Sequence, residues 1–249
     1  MPLHPDEYLG HLWRDGLGLA SAAEAAGLDR PVPSCPGWTV ADLVWHTGEV
    51  WWFWADNVEY RRSDPNDYVE PERPADADLL AWYRTAVDRL VRVLGAADPA
   101  QEVWSWAPGG GSAGWVQRRV AHEAAVHRWD AEHAAGTGWS PDAALAADGI
   151  DEFLEHFTGR PAEGAAPVGG TAHLHCTDVE GEWLVEEIDP SGPLAVRREH
   201  AKGDVAVRAP APGLLLLLWR RRGLHDLESV EIFGDATIAE RLLARADLG

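Results

Sequence analysis

The chain has 249 residues, 46% of them hydrophobic, which suffices for one large domain or two modest ones and excludes disorder as a description of the whole. Its 41 acidic against 21 basic residues give a formal net charge of −20, which argues against a broad electrostatic grip on nucleic acid or an anionic membrane surface. Two cysteines, Cys35 and Cys176, are too few for a disulfide framework, and the opening MPLHPDEY lacks the basic and apolar regions of a secretory signal, so a reducing cytoplasm is expected. The longest aliphatic run, Leu214 to Leu218, falls far short of the roughly 20 residues that span a bilayer, so no membrane partner is expected.

In chain order, apolar spacing predicts a first helix from Pro5 to Leu28, although its glycines lower its intrinsic propensity. The stretch PVPSCPG then breaks the chain. Thr39, with Asp42 three residues on, resembles a capping box that opens a second helix from about Val40 to Tyr60. A third helix follows over Asp76 to Leu94, and a fourth over Trp115 to Ala135, which Gly136 can terminate. Four long helices in this order predict a bundle. Pro141, at a plausible first helical position, predicts a fifth helix to about Phe157, and GRPAEGAAPVGG reads as a linker. Beyond it, short strands are expected at 171–176, 182–188, 194–198, 204–208 and 230–233, with helices at about 212–221 and 235–246. The expected fold class is α+β: a helical domain over residues 1–160 and a smaller α+β domain over 168–249.

The fourth helix contains RRVAHEAAVHRWDAEHAAG, in which Glu123 and His127 stand four apart and project from nearly the same side. Arg119 and Asp130 continue that stripe. By itself the pattern fits either a solvated polar stripe or half of a metal site. A zinc-protease motif is excluded, because His122 and His127 are five apart, about 140° further round a helix of 3.6 residues per turn. His122 is therefore read as structural or surface. In the second helix, His46 shares a face with Leu43 and Val50 amid several tryptophans, as either a satisfied core residue or a ligand. Together with Glu123 and His127 it makes a set of three protein ligands with an open position, the pattern of a catalytic zinc site, although iron or nickel suits the same donors. Asp130 and Arg128 can orient a ligand histidine or bind a substrate carboxylate, and a helix-to-helix ion pair explains them equally well. Arg220, Arg221 and Arg222 either reach an anionic ligand or form a solvated helix terminus. Cys35 precedes the helix of His46 and is read as structural. His173 and His175 share one strand face, but with no third ligand near in sequence they are read as strand residues. Most of the 14 tryptophans should be core, with some lining a dry pocket beside the metal.

The stretches VPSCPGWTVADLVWHTGEV and HEAAVHRWDAE resemble the mycothiol-dependent maleylpyruvate isomerase family, and GEWLV, GDVAVRAPAPGLLLLLWRR and VEIFGDATIAERLL resemble its carboxy-terminal domain. The resemblance implies a DinB-like four-helix bundle followed by a sterol carrier-like domain. It also implies a divalent metal, commonly zinc, on His46, Glu123 and His127, and mycothiol, an actinobacterial thiol, as cofactor. The expected activity is thiolate-assisted cis-trans isomerisation of maleylpyruvate or a related electrophile by a monomer or homodimer. A mycothiol S-transferase shares every motif quoted. From other classes, a non-catalytic small-molecule binding protein and a partner-binding regulator built on a similar zinc bundle are the alternatives.

Overall fold

The computed structural model describes residues 2–226 and 229–248, which form two compact units, one over residues 2–140 and the other from Pro141 onward. The first unit is helical. α1 (Pro5–Ala26) starts with a capping box in which His4 accepts from the Asp6 amide and Glu7 returns the bond to His4. α2 (Val40–Glu59) starts with the expected box: Asp42 Oδ2 accepts from the Thr39 amide at 3.0 Å, and Thr39 Oγ1 accepts from the Asp42 amide at 3.3 Å. A 3-10 turn at Pro65–Asp67 leads to α3 (Asp76–Ala96). A two-residue hairpin that periodicity cannot show, β1 (Glu102–Val103) with β2 (Gly111–Ser112), then delivers the chain into α4 (Ala113–Ala135). Gly136 ends α4 in the left-handed conformation, with φ of 77°.

α1 lies along α4 and α3, and α2 along α3 and α4. Leu12, Leu19, Leu43, Trp51, Tyr83 and Leu90 are wholly buried between them. Trp51 keeps its indole N–H satisfied by donating to the Tyr83 hydroxyl at 3.2 Å. Two of the α1 glycines have a packing reason. A Cβ at Gly16 would meet Val87 at 3.1 Å, and one at Gly18 would stand 2.4 Å from the Arg128 guanidinium. Each glycine costs α1 about 1 kcal/mol of helix propensity, less than the about 1.5–3 kcal/mol gained by each leucine that the close approach buries.

In the second unit α5 (Ala143–His156) is capped by Asp142, which accepts from the amides of Ala144 and Leu145, so Pro141 stands before the cap and not at the first helical position. Strands β3 (Thr171–Cys176), β4 (Glu182–Glu186) and β5 (Ala195–Arg197) come next. β6 (Val205–Ala209), α6 (Ala211–Leu218), β7 (Glu231–Gly234) and α7 (Ala236–Arg245) complete the unit. The sheet order is β5-β4-β3-β6-β7, and only the central β3–β6 pair is parallel. α6 and α7 pack on β3 and β6, where Leu174 and Val207 meet Leu214, Leu217 and Leu242. Because side chains alternate along a strand, His173 and His175 point from the other face of β3. The α+β class and the element order agree with expectation. No described helix is long and apolar enough to cross a membrane.

The division of the chain differs from the one expected. α5 packs against α6 in the second unit, so the break falls at Pro141 and not near residue 160. The stretch read as a linker is bound into the same unit: the Ala162 amide donates to Arg245 O at 2.7 Å, Pro161 bridges Ala246, and Val168 is buried. Its Gly and Pro content reflects an irregular path across α7, where backbone hydrogen bonds replace regular structure.

Candidate functional site

α4 presents Glu123 and His127 one turn apart, and α2 brings His46 to them across the bundle. One donor atom from each of the three lies within 4.8 Å of the other two. His127 Nε2 stands 4.0 Å from Glu123 Oε1, and the His46 and His127 rings meet nearly perpendicular, with centroids 5.5 Å apart. The side chains of His127 and Glu123 are only 12% and 15% exposed, which removes the solvated-stripe reading. Trp38 covers His46 with its ring at 4.9 Å, and Arg119 Nε lies 3.7 Å from the outer oxygen of Glu123.

Behind His127 sits Asp130, wholly buried, with Oδ2 2.9 Å from His127 Nδ1. A carboxylate there fixes the ring tautomer: Nδ1–H donates to Asp130 and Nε2 keeps its lone pair for a ligand. Asp130 accepts in turn from Ser34 Oγ at 2.6 Å and Cys35 Sγ at 3.6 Å, so the turn before α2 anchors the group that orients a residue of α4. Its contact with His127 Nδ1 is the geometry that the orienting reading of Asp130 requires. Two imidazoles and one carboxylate, with one imidazole already oriented, fit a first-row divalent cation.

Burial holds the His46 imidazole below its usual pKa, and the neighbouring His127 adds to this while Glu123 opposes it. Neutral His46 is the form that can bind a cation. Folded His46 resists a proton that the unfolded chain accepts near pH 6.5, so the metal-free protein should lose stability as pH falls below that value and keep it above. Denaturation of metal-stripped protein at pH 7.5 and 5.5 measures this, and the dependence should be shallower in His46→Gln. An equally steep dependence in that variant would refute the assignment.

Glu49, one turn beyond His46, was not singled out in the sequence. Burial raises its carboxyl pKa, Glu70 and Glu123 raise it further, and the Tyr68 phenol beside it pulls the other way. It is concealed in sequence by the surrounding aromatic run, and only its three-residue spacing from His46 points to it.

The remaining expected residues make contacts of their own. Arg128 lies over the Trp139 ring at 4.2 Å and is paired with Asp15 and Glu132, each at 3.1 Å, so it has the helix-to-helix role. His122 is buried with its ring edge-on to Tyr8, structural and not on the surface. Arg220 donates to the carbonyls of Leu243, Ala244 and Ala246 at the end of α7, which commits its guanidinium to tying α7 to the turn after α6. Arg222 lies in that same turn, with its amide donating to Leu216 O. Cys35 belongs to the support of Asp130, and neither cysteine is in a disulfide. Burial pushes the Cys176 thiol up to about 12, so it is no thiolate at neutral pH.

Comparison with known proteins bears on this geometry. Residues 9–132 match the family described as the mycothiol maleylpyruvate isomerase N-terminal domain, and residues 144–241 match the corresponding C-terminal domain. A solved structure of the mycothiol-dependent maleylpyruvate isomerase is similar in fold, with a TM-score of 0.62 at 13% identity over 92% of this chain and 93% of the other. A histidine-to-alanine mutant of a mycothiol-dependent maleylpyruvate isomerase gives 0.60 at 14% identity over 86% and 88%. No match was found among curated proteins. With both domain families matched in order along most of its length, the chain belongs to the mycothiol-dependent maleylpyruvate isomerase family.

Proposed function

We propose that this chain is a metal- and thiol-dependent isomerase, with a divalent cation, zinc by preference, on His46, Glu123 and His127, and with mycothiol as the thiol. The observation that carries the reading is the convergence of those three donors within 4.8 Å, with His127 already oriented by a buried carboxylate. These three residues would hold a cation that would supply a thiol in its thiolate form at neutral pH, the form that can add reversibly to an activated cis double bond and so permit rotation to the trans isomer.

The chain supplies the setting for that chemistry. Asp130 fixes the tautomer of His127, and Trp38 shields His46 from water on one side. Glu49, with its raised pKa, is the nearby carboxyl suited to hold a proton on its oxygen and release it to a substrate. Arg220 and Arg128 have no part in it, since their guanidinium groups are committed within their own units.

The test is elemental analysis of untagged protein beside His46→Ala and Glu123→Ala, followed by mycothiol-dependent turnover of maleylpyruvate. Each variant should lose about one equivalent of zinc relative to the parent, together with turnover, as expected for a site of three protein ligands. Isomer formation without net thiol consumption identifies an isomerase, whereas stoichiometric consumption identifies the S-transferase. Full thiol-dependent turnover in either variant would overturn the reading and favour a binding protein.

A further inference from the structure

A second cluster of donors lies in the second unit, on the face of the sheet opposite α6 and α7. β3 presents His173 and His175 from one face, and the antiparallel register places Glu182 of β4 directly opposite His175. Three residues beyond β5, His200 comes to the same carboxylate. Glu182 then has His175 Nδ1 at 2.5 Å on one oxygen, and His200 Nδ1 at 2.7 Å and His173 Nε2 at 3.6 Å on the other. One donor atom from each of the four residues lies within 4.8 Å of all the others. The imidazole centroids are 5.4 to 6.5 Å apart.

His173 is the informative member. Its side chain is only 8% exposed, and Nε2, which faces the cluster, has no hydrogen-bond partner among the described residues. A buried polar atom without a partner is costly, and one carboxylate cannot serve three imidazoles equally well. A cation would use all three nitrogen lone pairs, and the carboxylate would offset its charge.

We propose that His173, His175, Glu182 and His200 form a second, structural site for a divalent first-row cation of the zinc type. Three nitrogens and one oxygen match the donors zinc takes, whereas magnesium and calcium call for oxygen ligands. Four protein ligands leave no open position in a tetrahedral shell, which separates this site from the three-ligand set in the bundle. A cleft of about 480 Å³ bordered by His175, Glu182, Arg198 and His200 gives the ion a way in. Its effect would be mechanical: β5 is only three residues long, and an ion held jointly by β3, β4 and His200 would pin that short edge and the segment after it to the centre of the sheet.

The test uses Co²⁺ as a spectroscopic probe on metal-stripped, untagged full chain. A His46→Ala/Glu123→Ala protein, in which the bundle set is removed, should still take up about one Co²⁺ with the visible absorption of a tetrahedral ion. Adding His175→Ala and His200→Ala should abolish that uptake. His200→Ala alone, at a side chain 81% exposed and so harmless to the core, should weaken it by at least about the 10- to 100-fold that loss of a mere outer partner causes. Zn²⁺ should raise the denaturation midpoint of the bundle-site variant and leave the protein with all four substitutions unmoved. The proposal fails if the folded bundle-site variant binds no Co²⁺, or if its uptake is unchanged by His200→Ala. Neither result bears on the bundle site, which that background lacks.

Discussion

Asp130→Asn should lower the affinity of the bundle site for zinc by about 10- to 100-fold, although Asp130 is not itself a ligand. The carboxylate sits 2.9 Å from His127 Nδ1 and is wholly buried, so no water can take its place. An amide of the same shape keeps the contacts with Ser34 and Cys35 but no longer offers His127 Nδ1–H a charged acceptor, so the ring is held less firmly toward a cation. Competition against a chelating dye measures the loss. Thiol-dependent turnover should fall with it at limiting zinc and recover when zinc is in excess. Recovery is what separates a positioning role from general damage to the fold, since a misfolded bundle would not respond to added metal. Wild-type affinity in Asp130→Asn would remove Asp130 from the site.

Arg128→Ala should do the reverse, with a large loss of stability and no change in cation uptake by the bundle site. Asp15 has no exposed side-chain surface, and burial alone would raise its pKa, yet His11, Arg14 and Arg128 together keep it below the ordinary value. Removing one partner of a buried pair costs about 3–5 kcal/mol, and the lower end applies here because Arg14 remains at 3.1 Å. For a unit of this size that corresponds to a fall of roughly 10 °C in Tm. Calorimetry and metal analysis on the same sample give both readouts. Loss of metal with an unchanged Tm would return Arg128 to the site.

What could be read in the sequence followed the range over which the responsible forces act. The Glu123 and His127 pair, the Thr39 and Asp42 box and the Gly136 stop are set within one or two helical turns, and the structure has them where periodicity placed them. His46 was legible only as one of two alternatives, because pairing it with α4 requires knowing how the bundle closes. The partner of Arg128 on another helix, Asp15, is 113 residues away in the chain, and nothing local to the HRWD run distinguishes that salt bridge from a substrate contact. The same limit hid the second cluster. His173 and His175 are visibly on one face, but Glu182 joins them through strand register and His200 through the return from β5, and neither is a property of spacing. The fifth helix was found, but its allegiance to α6 depends on tertiary packing that overrides a glycine- and proline-rich stretch that looks like a boundary.

The bridge between Pro161 and Ala246 has a consequence for how the protein is made. All four helices of the first unit precede residue 141, so that core can assemble while the rest of the chain is still being translated, as amino-terminal domains generally do. The second unit has no such opportunity. Its first helix is followed by a segment whose backbone partners, Arg245 and Ala246, are synthesised some eighty residues later, and its central strand β3 waits for β6 to supply a parallel neighbour. A ribosome paused between these two events would hold a finished bundle and a half-sheet whose apolar face is still uncovered.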